Sequence, residues 1–159
     1  MSGSTDSLEL RLLRVEAELA LRRIIFDYSV HLDAGDYDAY VDLFAPDAEW
    51  TNAEGSHKGR AAIHKMLLDT VGPGSPLDLR GFHTNGNERI DVDADARRAT
   101  AVSRYLFVMR GPDDRPRPSL AGMYHDEFVR LDEGWKISRR VAEEVIPTHE
   151  EWVRMAANR

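Results

Sequence analysis

The chain has 159 residues, 42% hydrophobic and 31% charged, and contains no cysteine. That length suits one domain with one core, and the absent thiols exclude disulfides, thiolate nucleophiles, iron–sulfur clusters and sulfur-ligated zinc. With 21 Lys+Arg against 28 Asp+Glu, the net charge of −7 lacks the basic field that nucleic acid or an anionic membrane requires.

The opening MSGSTDSLEL has neither a basic n-region nor an apolar h-region. No stretch approaches the roughly 20 apolar residues that span a bilayer, so a soluble, cytoplasmic protein is expected. Residues 1–7 read as disordered, with Ser7 placed to cap the first helix. From Leu8 to Leu32 apolar residues recur at helical spacing: Leu13, Ala17, Ala20, Leu21, Ile24, Ile25, Tyr28, Leu32. Arg14, Glu18, Arg22 and Arg23 form the solvated face. Gly35 ends this helix, and Asp36 caps a short second one through Phe44, stopped by Pro46. A strand-like run, Ala48 to Thr51, follows. A helix from about Lys58 to Val71 closes at the breaker cluster Gly72-Pro73-Gly74-Ser75-Pro76.

The second half changes period. Phe82 to Val92, Ala99 to Met109, Leu120 to Leu131 and Trp135 to Ile146 are rich in β-branched and aromatic residues and read as strands. Asp93–Ala96 and Asp132–Gly134 read as hairpin turns, and a proline-rich loop from Gly111 to Pro118 joins the middle pair. Pro147 releases a last helix, Thr148 to Ala157, so that 148–159 reads as a C-terminal helix or tail. Helices first and antiparallel strands after is the α+β layout, one domain over 1–159.

None of the six histidines forms a His-x-x-x-His pair or a two-His, one-carboxylate spacing. Dinucleotide fingerprints, phosphate loops and nucleophile elbows are also missing, so neither a metal nor another cofactor is expected. The segment Tyr28-Ser-Val-His-Leu-Asp33-Ala-Gly-Asp36 places Asp33 on the last helical turn at the lip of the core, where a carboxylate needs a partner. Ideal geometry sets Tyr28 and Asp33 about 140° apart. In the plainer reading Tyr28 is core and Asp33 a turn former. In Phe82-His83-Thr-Asn85-Gly-Asn87, alternation puts His83, Asn85 and Asn87 on one face. That stripe either faces solvent or lines a pocket in which Asp33 sets the tautomer of a histidine base. Tyr124 lies on the third long strand with His125 opposite. One of Arg139 and Arg140 points inward, to meet either a carboxylate (Asp126, Glu127, Glu143 or Glu144) or negative charge on a substrate.

Taken in order, these motifs resemble a known family. Tyr28…Leu32-Asp33-x-Gly35-Asp36…Leu43-Phe44-Ala-Pro46-Asp47-Ala48, Gly59-Arg60-Ala-Ala-Ile63, His83-Thr-Asn85, Gly122-x-Tyr124-x-Asp126 and Gly134-Trp135-Lys-Ile137 are similar to the SnoaL-like (polyketide-cyclase-like) branch of the nuclear transport factor 2-like superfamily. The resemblance implies a cone-shaped α+β barrel, N-terminal helices packed on a curved, mostly antiparallel sheet. It also implies the constellation of scytalone dehydratase, bile-acid dehydratases and hexachlorocyclohexane dehydrochlorinase. There an Asp at the end of the first helix pairs with a His that takes a proton from carbon as a leaving group departs. The matching positions are Asp33 and His83, with Tyr28 and Arg140 as further catalytic groups and Trp50, Asn85 and Tyr124 as substrate-binding residues. The second long strand departs from the bile-acid enzymes, reading Ser103-Arg104-Tyr105 where those carry an acid.

The expected function is a cofactor-independent lyase or isomerase of the dehydratase type, acting on a small hydrophobic cyclic oxygenated substrate. The alternatives are a polyketide or terpenoid cyclase with the same dyad, and a non-catalytic hydrophobic-ligand-binding module. Family members commonly pair through the exposed sheet face, so a homodimer is expected, with a trimer as the other option. Phe107, Met109 and Val129 are assigned to that face.

Overall fold

The computed structural model describes residues 7–73 and 81–156, without the side chains of Trp152 and Ala156. The expected disorder before Ser7, the Gly74-Ser75-Pro76 part of the breaker cluster and the last turn at 157–159 lie outside the described residues. Helix α1 spans Leu8–Ala34. Ser7 Oγ accepts the Leu10 N–H at 3.2 Å, satisfying one donor that the first turn leaves open. Gly35 closes the other end at φ +69°, in the left-handed region that glycine enters without strain. Asp36 then caps α2, Tyr37–Asp42, by accepting the Ala39 N–H at 3.1 Å.

Here the chain departs from expectation. Helix α2 stops at Asp42, and strand β1 runs Phe44–Asn52 with Pro46 inside it. Pro46 is tolerated because the pairing of β1 shifts register between Phe44 and Glu49, so no ladder bond needs its missing N–H. A short strand β2, Gly55–Lys58, pairs back on β1, and helix α3 is therefore confined to Arg60–Val71. Strands β3 (Gly81–Val92), β4 (Arg98–Arg110), β5 (Pro116–Leu131) and β6 (Gly134–Ile146) follow, with β5 starting inside the segment expected to be loop. Helix α4 spans His149–Ala156.

Among the described residues six strands form one sheet in the order β2-β1-β6-β5-β4-β3, in which β1 lies parallel to β6 and the other pairs are antiparallel. The sheet is open, with β2 and β3 as its edges, so it is a curved α+β sheet and not a closed barrel. Helix α1 buries Ala17, Leu21, Ile24, Ile25, Tyr28 and Ser29 against its inner face. The core they enter holds Tyr40, Phe44, Ile63, Phe128 and Ile137. Burial along β4 alternates strictly, with Ala99, Ala101, Ser103, Tyr105, Phe107 and Met109 inward. Phe107 and Met109 thus belong to the inside and not to an outer interface, and Val129 is half-buried against the core. Among the described residues, no helix is long and apolar enough to cross a membrane.

Candidate active site

Asp33 occupies the last turn of α1 and His83 the third residue of β3, the edge strand against which that helix packs. Both carboxylate oxygens are committed to the histidine. Oδ1 lies 2.6 Å from His83 Nδ1, and Oδ2 accepts the His83 backbone N–H at 2.7 Å. A carboxylate accepts, so Nδ1 is the donor, and in the neutral imidazole this leaves the lone pair on Nε2. The two side chains are 15% and 19% exposed, shielded yet reachable. Phe107 stacks on the imidazole with centroids 4.3 Å apart, and Tyr105 lies 6.4 Å away.

From Tyr105 a line of rings runs inward. Tyr105 stacks on Tyr124 at 4.5 Å, and Tyr124 meets Tyr28 edge-on at 5.4 Å. Between Tyr28 and Tyr124 sits the Arg140 guanidinium, 3.8 Å from one ring centroid and 4.4 Å from the other. Arg140 is fully buried and forms a two-pronged ion pair with Asp126, Nε to Oδ1 at 2.6 Å and Nη2 to Oδ2 at 2.7 Å. Burial opposes its charge, but the Asp126 carboxylate outweighs that and raises its pKa further. Its Nη1 is a buried donor with no hydrogen-bond partner among the described residues. Arg139 points outward and lies 3.5 Å from Glu127. Of the two readings for an inward arginine, the carboxylate partner is realised, and it is Asp126. Burial also pushes the phenols of Tyr40, Tyr105 and Tyr124 above their ordinary range.

Tyr28 is core, 2% exposed, and its hydroxyl accepts from Trp50 Nε1 at 3.0 Å. Trp50 is therefore tied to Tyr28 at the back of the ring stack. Asn85 clamps α1 to β3, its Nδ2 donating to Ile25 O at 3.0 Å and to Ser29 Oγ at 2.7 Å. Asn87 does not share the face of His83 and Asn85. Pairing of β3 shifts between Gly86 and Arg89, and Asn87 sits there at φ +53° and is exposed. His125 lies on the opposite face from Tyr124, beside Glu143 at 3.2 Å. Phe107 and Tyr105 were not among the expected site residues. Their alternation with Ser103 on β4 was the signal that would have placed both beside the histidine. Tyr105 is accommodated by Gly122, opposite it on β5, where a Cβ would lie 2.5 Å from the phenol ring carbon and oxygen.

A groove of about 260 Å³ between α1 and β3 reaches the dyad, lined by Asp33, His83, Asn85, Ser29, Phe26 and Val30 among others. A larger open groove of about 780 Å³ lies between α4 and the sheet, and it contains none of the expected site residues. Among the described residues, no group of three or more His, Asp or Glu side chains gathers as a metal site would.

The pattern in sequence and fold is shared with known proteins. Residues 13–141 match the model of the SnoaL-like domain. The chain belongs to the SnoaL-like family. An uncharacterized protein of Mycobacterium tuberculosis is 30% identical over 143 residues, covering 89% of this SnoaL-like chain and 94% of the relative. An NTF2-like protein with a cystatin-like fold from Novosphingobium aromaticivorans superposes with a TM-score of 0.79 at 22% identity, over 92% of this chain and 96% of that one. A candidate scytalone dehydratase from the same organism is 30% identical, with a TM-score of 0.68 and coverage of 87% and 89%. A hexachlorocyclohexane dehydrochlorinase from Novosphingobium barchaimii shares the fold at 21% identity, with a TM-score of 0.69 and coverage of 84% and 90%. The fold neighbours thus include proteins named as a dehydratase and as a dehydrochlorinase.

Proposed function

We propose that the protein is a cofactor-independent lyase or isomerase of the dehydratase type, acting on a small hydrophobic cyclic oxygenated substrate. The observation that carries this reading is the Asp33–His83 pair, in which both carboxylate oxygens serve one histidine and leave Nε2 as the base. His83 Nε2 takes the proton from carbon next to a carbonyl. The C–H electrons form the new double bond as the C–O bond of a β-hydroxyl breaks. The imidazolium, balanced by Asp33, returns its proton to the departing oxygen as water. Phe26 and Val30 supply apolar contact for a ring substrate, Phe107 backs the imidazole, and Tyr105 is the hydroxyl-bearing ring nearest the base.

Tyr28, Tyr124, Arg140 and Trp50 do not line the groove at the dyad; they form a buried cluster behind it, joined to His83 through Tyr105, with Trp50 bonded to Tyr28. With the rings stacked as they are, Arg140 acts through its positive field, most of which Asp126 offsets. Asn85 keeps β3 and α1 in register so that the dyad closes.

Deuterium uptake next to the carbonyl of cyclic β-hydroxyketones, followed by NMR with mass-spectrometric detection of the enone, tests the reading directly. Exchange and water loss are expected with the native chain. A general base of this kind contributes about 10²–10⁴ in rate, so His83→Ala and Asp33→Asn should each lower turnover at least tenfold with the melting temperature nearly unchanged. Undiminished turnover in both variants refutes the dyad.

A further inference from the structure

Helix α1 carries a second apolar face that nothing in the chain covers among the described residues. Leu8, Leu12, Val15, Leu19, Phe26 and Val30 are between 43% and 78% exposed. At 100° per residue they fall within an arc of about 60°, centred about 150° from the buried face of the same helix. Single exposed apolar residues need no explanation, but a stripe some 33 Å long, interrupted only between Leu19 and Phe26, does. Its spacing from Leu8 to Leu12, Val15, Leu19, position 22 and Phe26 alternates four and three residues, the a/d repeat of a two-stranded coiled coil. Position 22 is Arg22, drawn off the seam toward Glu18 and toward Glu88 of β3.

We infer that this stripe is the interface with a second copy of the chain, the two α1 helices lying parallel and in register. The flanking charges choose the occupant and the direction. With Leu12, Leu19 and Phe26 as a positions, Arg11 and Glu18 are g positions, and Glu16 and Arg23 are the e positions they meet across a parallel seam. Arg11 of one copy then faces Glu16 of the other, and Glu18 faces Arg23, each twice by symmetry. In an antiparallel pair centred near residue 17, Glu16 would meet Glu16 and Glu18 would meet Glu18. The buried face of each α1 points about 150° away from the stripe, while β3 flanks the stripe at Phe26 and Val30. Phe26 and Val30 also line the groove that reaches Asp33 and His83, so the second copy forms a wall of that groove. The inference stands independently of the proposed reaction, because its readout is mass and not turnover. It also differs from pairing through the outer sheet face.

Sedimentation velocity on the full chain is expected to show a dimer. Leu12→Glu/Leu19→Glu should sediment as a monomer with an unchanged far-ultraviolet circular dichroism spectrum. Arg11→Glu, a surface change that spares the fold, should weaken the dimer about tenfold, and Arg11→Glu/Glu16→Arg should restore it. Because the chain has no cysteine, Leu12→Cys gives one thiol per copy, which meets its twin and forms a disulfide-linked dimer when oxidised glutathione is added as the two-electron oxidant. A monomeric native chain overturns the inference. So does a dimer that survives Leu12→Glu/Leu19→Glu, or one that is indifferent to Arg11→Glu, since either places the contact elsewhere.

Discussion

Removing the carboxylate from Asp126 is the sharpest perturbation this interior offers. Asp126 is 2% exposed and holds two of the three guanidinium nitrogens of Arg140, which is 0% exposed. In Asp126→Ala the guanidinium keeps its charge, because nothing lowers an arginine to neutrality in water-accessible pH. Only the faces of Tyr28 and Tyr124 would remain to it. Cation–π contact of this kind is worth about 2 kcal/mol when desolvated, well short of a buried cation's desolvation cost. Breaking a buried pair by deleting one partner costs about 3–5 kcal/mol. For a domain of this size each kcal/mol moves the melting temperature by about 2–4 °C, so a drop of roughly 6–20 °C is expected. Replacing both partners, as in Asp126→Leu/Arg140→Met, removes the charge and the hole together and should recover most of the loss. Urea titrations followed by circular dichroism give the free energies. A cost under about 1 kcal/mol for Asp126→Ala would refute the reasoning, since the pair would then have to be wet.

Gly122→Ala should cost about 1–3 kcal/mol through overpacking, because the new Cβ meets Tyr105 and the Glu143 carbonyl, and a crystal structure should show the Tyr105 ring displaced. Stability should be flat in this respect below pH 9 and fall above about pH 10. Tyr40, Tyr105 and Tyr124 keep their protons in the fold after the unfolded chain has released them, so the unfolded state binds fewer protons. The slope is up to about −1.4 kcal/mol per pH unit for each tyrosine, readable from urea titrations at pH 8 and pH 11. An alkaline limb that is flat or rising contradicts the burial of these phenols. Gly35→Ala should destabilise by about 1–2 kcal/mol, because α1 ends there at positive φ.

The sequence was most legible where local chemistry and tertiary structure agree. Ser7, Gly35 and Asp36 cap helices for reasons internal to their own turns, and the four long strands announce themselves by alternation and by the turns between them. It was least legible where one element borrows its state from another. Pro46 reads as a helix stop, yet it lies in a strand because a shift of register against β6 frees it from the ladder. The run Gly55–Lys58 is too short and polar to read as a strand, and it becomes one by pairing with β1. Asn87 was placed beside His83 by a period that a bulge interrupts. Residue pattern offered the Asp33–His83 pairing only as one of two readings, and resemblance chose it, since the residues are fifty positions apart and join through the packing of α1 on β3. The second stripe of α1 was hidden for a different reason. A helix with apolar residues on two opposite faces looks, residue by residue, like one with a broad core face.

The position of the dyad separates two roles that a small domain must otherwise combine. Arg140, Asp126 and the tyrosine stack occupy the centre, where charge, rings and hydrogen bonds are packed together and a change is felt by the whole fold. Asp33 and His83 stand at the rim, on the last turn of a helix and an edge strand, partly open to the groove. An ion pair in that place adds little to stability, while its second oxygen, fixed by a backbone N–H, orients the imidazole without help from the interior. Chemistry at the rim can therefore be removed by His83→Ala at small thermal cost, whereas Arg140→Met alone would strand the Asp126 carboxylate and lower stability whatever its effect on turnover. Loss of activity in an Arg140 variant is evidence for a catalytic arginine only if the doubly replaced Asp126→Leu/Arg140→Met chain, with its fold recovered, is equally inactive.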